Sequence, residues 1–94
     1  MDRITNKKLD YQVELINKIL GRALEPYSKN ENGEYHPNPG CFHLSGAYGG
    51  VALHEMSHKP GCTGIIDVFG AGHMPKRELY DRMSAFIRGL DYKE

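Results

Sequence analysis

The sequence predicts an α+β fold: a helix, a three-stranded antiparallel meander and a second helix, with both helices packed on one sheet face. Three observations lead there. Apolar residues recur at helical spacing near both ends of the chain. Between them stand three short runs of alternating or β-branched residues, separated by glycine-rich breaks. The chain has 94 residues and no internal repeat, enough for a single small domain with one modest core.

The first helix is expected over residues 5–25. Leu9, Val13, Ile16, Leu20 and Leu24 make its apolar stripe, widened by Leu15, Ile19 and Ala23. Thr5 suits the N-cap, and Ile4 and Leu9 stand where a hydrophobic staple closes. Gly21 weakens the helix interior, and Pro26 pushes Glu25 out of the α region and so ends it. Residues 27–40 are polar and turn-rich, with residues 28–40 expected as a flexible surface loop. Asn32-Gly33 favours a tight turn, with Tyr27 and Tyr35 facing each other across a short hairpin. Pro37 and Pro39 then extend the chain.

Residues 41–45 read as the first strand. Phe42 and Leu44 share one face; Cys41, His43 and Ser45 share the other. A glycine turn follows at 46–50, then a second strand at 51–57, a turn at Lys59-Pro60-Gly61, and a third strand at 63–69. Gly70-Ala71-Gly72 breaks the chain. The second helix is expected over residues 75–89, with Pro75 at its first position and Leu79, Met83, Phe86, Ile87 and Leu90 facing the core. Residues 91–94 form a frayed tail.

Charge narrows the partners. Lysines and arginines number 12, and aspartates and glutamates 12, for a formal net charge of zero. A general nucleic-acid binder relies on a basic excess, so nucleic acid is not the expected partner. No apolar run approaches the roughly 20 residues of a membrane span, and the N-terminus has no apolar signal core. The expectation is a cytoplasmic protein without a membrane partner. Its two cysteines, Cys41 and Cys62, then read as free thiols or metal ligands, although they are able to pair.

The string His54-Glu55-Met56-Ser57-His58 matches the HExxH pattern of zinc peptidases. That chemistry needs two histidines on one helical face and a glutamate to activate the metal-bound water. On a strand, positions i and i+4 stand roughly 13 Å apart and cannot share one ion. The flanking glycine and proline turns favour a strand, so no catalytic residues and no metal are expected. If a metal is bound, its ligands would be His54, His58, Cys62 and Cys41, with His43 and His73 within the same span and zinc as the ion.

A second chemistry surrounds the second helix. Lys76 and Arg77 occupy its first turn, where cations oppose the helix dipole. Either Arg77 pairs locally with Asp81, or the helix start holds an anion, with Gly72 and His73 leading into it. Tyr48, between glycines, is placed to stack on a ring. The expected ligand site is therefore His43, Tyr48, Gly49, Gly50, His54, His73, Lys76 and Arg77, for a small anionic, nucleotide-derived ligand, on a sheet face or between the two copies of a homodimer.

Two resemblances bear on this reading. The layout helix–three strands–helix, with Gly70-x-Gly72-x-x-x-Lys76 entering the last helix, resembles the double-stranded RNA-binding domain in topology. Over nearly the whole chain, FHLSGAYGGVALHEMS, GIIDVFGAG and PKRELYDRMSAFIRGL are similar to a family of small uncharacterised tailed-phage and prophage proteins. His43 to Gly50 and Lys76 to Tyr80 carry its most typical segments. The resemblance implies an accessory protein of an infected or lysogenic host cell that counters host defence. It would do so by sequestering a nucleotide-type signal or by binding and inhibiting a host protein.

Overall fold

The computed structural model describes residues 3–58 and 64–92. Seven elements follow in order: α1 (Asn6–Leu20), β1 (Tyr27–Lys29), β2 (Tyr35–Pro37), β3 (Phe42–Ala47), β4 (Gly50–Met56), β5 (Ile65–Asp67) and α2 (Lys76–Tyr92). The fold is α+β as expected, with β3-β4-β5 forming an antiparallel three-stranded sheet and β1-β2 a separate hairpin. Both helices lie against the β3-β4 part of the sheet and against each other.

Helix α1 opens at Thr5, whose Oγ1 accepts from Lys8 N at 3.3 Å. It closes earlier than the proline suggests. Gly21 adopts φ 70°, its N–H meets Lys18 O at 3.2 Å, and Arg22 N meets Asn17 O at 2.7 Å. This pair of bonds is a Schellman cap, so Gly21 ends the helix and does not weaken its interior. Leu24 therefore lies beyond the helix and is 53% exposed. Helix α2 runs in the other direction, past the expected residue 89 to Tyr92. Pro75 stands just before it, and Pro75 O accepts from Leu79 N at 3.1 Å.

The core lies between the helices and the sheet. Leu9, Val13 and Ile16 of α1 meet Phe42, Val51 and Leu53 of the sheet and Leu79 and Met83 of α2, with Met74 closing one end. Phe42, Leu44, Val51 and Leu53 face the helices because strand side chains alternate. His43, Ser45, Ala52 and His54 consequently share the opposite face.

The stretch expected as a loop is partly ordered by hydrogen bonding. Asn30 Oδ1 accepts from Asn32 N and Glu34 N, both at 2.9 Å, and Gly33 sits at φ 82°. The register pairs Tyr27 with Pro37 and Lys29 with Tyr35, so the two tyrosines do not face each other. Asn38 ties the hairpin down, its Nδ2 donating to Glu25 O and Ser28 Oγ at 2.7 Å each.

The glycine turn is tighter than expected. Ala47 pairs with Gly50, leaving only Tyr48 and Gly49 as the loop. Both have positive φ, 54° and 75°, the signature of a type I′ turn, whose twist matches that of the strands. The expected turn at Lys59-Pro60-Gly61 and the start of the third strand at Thr63 lie outside the described residues.

Candidate functional site

Three histidines from three segments meet on the sheet face opposite α1 and α2. His43 and His54 are cross-strand partners of β3 and β4, with ring centroids 5.8 Å apart and edge to face. His73 comes from the segment before α2, and its ring lies 5.7 Å from His54. Two constraints put it there. Val51 and Met74 exchange backbone hydrogen bonds, each at 2.8 Å, so the chain after β5 returns along the same edge of β4. Gly50 lets the returning backbone come close: a Cβ on it would sit 3.0 Å from both Met74 N and Met74 O.

The cluster has a polar frame. Ser45 Oγ and His73 Nε2 are 3.0 Å apart. Asp67 pairs with His54 across β4 and β5, and its Oδ2 accepts from Gly72 N at 2.9 Å. That bond holds the glycine loop leading to His73. The buried atoms His43 Nε2 and Asp67 Oδ1 have no hydrogen-bond partner among the described residues. Burial and the neighbouring His54 push the His43 pKa below its usual value, and a backbone hydrogen bond at Leu44 works against them. Tyr48 closes one side, its ring 6.0 Å from that of His73 and its side chain 99% exposed.

The structure thus brings together His43, Tyr48, His54 and His73, with Gly49 and Gly50 in and beside the turn. Lys76 and Arg77 lie a few residues past His73 at the exposed start of α2, with the Arg77 guanidinium 6.0 Å from the Tyr80 ring. Ser45 and Asp67 are the members of the candidate site that the expected ligand site does not include. Strand alternation places Ser45 beside His43. Asp67 joins as the cross-strand partner of His54 and through the glycine loop, and no local pattern reveals either contact.

The HExxH string divides between two tasks. Gly50–Met56 is a strand, so the motif lacks the helical face that zinc peptidases use. His54 belongs to the histidine cluster. Glu55 points towards the helices, where Oε2 meets Arg22 Nη1 at 3.1 Å and His58 Nε2 at 2.8 Å. Arg22 also donates to Gly40 O at 2.7 Å and lies over the Phe42 ring. The carboxylate that would activate water in a peptidase here ties the end of α1 to the sheet. Among the described residues no three His, Cys, Asp or Glu side chains are grouped to hold a metal ion. Cys41 is a buried free thiol, its Sγ 3.5 Å from Phe42 O, and Cys62 lies outside the described residues. Burial, with Glu25 nearby, raises the Cys41 pKa.

No described helix is long and apolar enough to cross a membrane. No family model, curated protein or solved structure matches the chain.

Proposed function

We propose that the protein is a non-enzymatic binding module that holds a small anionic, nucleotide-type ligand on the face formed by His43, His54 and His73. The observation that supports this most is the convergence of the three rings beside an unpacked tyrosine. Histidine N–H groups donate to phosphate or carboxylate oxygens, and a protonated ring adds charge. Tyr48 accepts a positive φ and packs against no core, which leaves its ring face free to stack on a base. Lys76 and Arg77 supply further positive charge towards the start of α2. Ligand is bound without a bond being broken. The similarity to small phage proteins gives this a setting, the sequestering of a nucleotide signal used in host defence.

The test is a thermal-shift panel of mononucleotides, dinucleotides and cyclic dinucleotides at pH 6.0 and 7.5. A stabilising ligand should lose its effect in His54→Ala and in Tyr48→Ala. Flat melting curves across the panel at both pH values sink the reading.

A second reading is inhibition of a host protein by direct contact. It draws on the exposed apolar residues Ile65 and Ile66 of β5, 53% and 45% accessible. Pull-down from host lysate with Ile65→Lys as control separates it from ligand binding.

A further inference from the structure

Strand β3 lies at the edge of the three-stranded sheet, with β4 on one side and, among the described residues, no strand on the other. Its outward backbone groups are those of the alternate residues Phe42, Leu44 and Gly46. Asn17 takes both groups of Phe42: Nδ2 donates to Phe42 O at 2.9 Å and Oδ1 accepts from Phe42 N at 2.8 Å. The Leu44 N–H and both groups of Gly46 have no such cover from any described residue. The backbone bond that favours the charged His43 ring is one the ring donates, so it involves Leu44 O, and a carbonyl has a second lone pair. Beside this edge runs a groove of about 580 Å³, lined among others by Lys7, Asp10, Tyr11 and Glu14 of α1 and by Leu44.

We propose that the chain forms a twofold homodimer by pairing its β3 edges antiparallel, with the axis at Ser45. In that register Leu44 faces Gly46 of the partner subunit and Gly46 faces Leu44 of the partner subunit. Each pair exchanges both backbone bonds. The blocked Phe42 falls outside the ladder. Gly46 leaves space for the opposing leucine, since a Cβ on it would have its nearest neighbour, Gly50 O, 3.9 Å away.

The charges on α1 select a second copy over an unrelated strand. The charged residues of α1 that line the groove are Lys7, Asp10 and Glu14, with Tyr11 among them, and Glu14 also meets the exposed Lys18 at 3.5 Å. Laid antiparallel about a twofold axis between Asp10 and Tyr11, Lys7 meets Glu14 of the partner subunit, twice over. The two positions stand level along helix and strand. From the Asn17–Phe42 contact, the midpoint of Asp10 and Tyr11 lies about 10 Å back along the helix. From the same contact Ser45 lies about 10 Å along the strand. Both run towards the same end, because Lys7 and Tyr11 line the groove together with Leu44.

The dimer joins two histidine faces into one continuous surface, a consequence that rests on the ligand reading above, whereas the dimer itself does not. Its test is made without ligand, so failure of one is distinct from failure of the other. Sedimentation equilibrium should give twice the 10.6 kDa chain mass for the wild type. Lys7→Glu and Glu14→Lys should each weaken association about tenfold or more, because each sets like charges opposite one another. An equimolar mixture of the two variants should restore it, since both contacts of the mixed dimer then join opposite charges. Gly46→Pro removes an outward N–H that β4 does not use, and should give a monomer with an unchanged circular dichroism spectrum. A monomeric wild type, or a mixture that associates no better than either variant alone, overturns the proposal.

Discussion

Asn17 and Phe42 are joined by two hydrogen bonds, at 2.9 and 2.8 Å, through which one side-chain amide serves as the neighbour that an edge strand lacks. Asn17 is 1% exposed and sits in the last turn of α1, where its own carbonyl also receives the cap bond from Arg22. One residue therefore fixes where the helix stops and where the sheet begins.

Replacing Asn17 by alanine leaves the buried Phe42 N–H without a partner and its carbonyl with only the weak Cys41 thiol. Asn17→Ala should destabilise the fold by about 2–4 kcal/mol, measured by urea unfolding. Asn17→Asp sets a buried carboxylate oxygen against the Phe42 carbonyl and should be no more stable than the alanine variant near neutral pH. An alanine variant as stable as wild type contradicts the pairing.

Gly50 is held to a small residue by backbone and not by conformation. Its Cβ would stand 3.0 Å from Met74 N and O and 3.3 Å from His73 C, and none of these is the end of a flexible side chain. Gly50→Ala should cost about 1–3 kcal/mol and displace His73 from His54. The ring resonances of both histidines should shift in an NMR spectrum, while the Arg22–Glu55 end of the sheet stays as it is.

His43 carries a pKa lowered by burial and by His54. The unfolded chain then binds the proton first as the solution is acidified. The neutral ring is fully compatible with the fold above the unfolded value, about 6.5. Stability should fall as pH drops below that value and on towards the folded pKa, with a slope of at most about 1.4 kcal/mol per pH unit for this one group. His43→Asn should flatten the curve between pH 7 and 5, and His54→Asn should flatten it less. Urea midpoints at half-unit steps measure both. A wild-type curve that matches His43→Asn over this interval excludes the effect.

Cys41 combines complete burial with a raised pKa, so little thiolate is present or reachable at neutral pH. In a Cys62→Ser background, the remaining thiol should react with a disulfide reagent only at the rate of opening, and promptly in denaturant. Prompt reaction in the native state contradicts the burial.

The sheet and half of the site were legible because they rest on period two. Alternation placed Phe42 and Leu44 towards the helices and His43 away from them. The turn spacing made 51–57 a strand, and with it the HExxH string lost its helical face. His43 and His54 follow from adjacent strands. His73 does not, because its arrival depends on the Val51–Met74 bridge and on the missing side chain at Gly50, both contacts between distant residues. The helix ends were misplaced for a local reason. Gly21 carries two readings, a weak interior residue or a left-handed cap, and only the bonds donated to the Asn17 and Lys18 carbonyls choose between them. The Tyr27–Tyr35 pairing failed because the register is set by the five-residue turn that Asn30 organises, and not by the tyrosines.

Tyr48 stands on the tip of its two-residue turn with its side chain almost wholly in water. The chain contains no tryptophan. Tyr48→Trp would therefore place the molecule's sole indole beside His73 without altering the core. Imidazolium quenches indole emission, so the intensity of that single fluorophore would report the protonation and the occupancy of the histidine face directly.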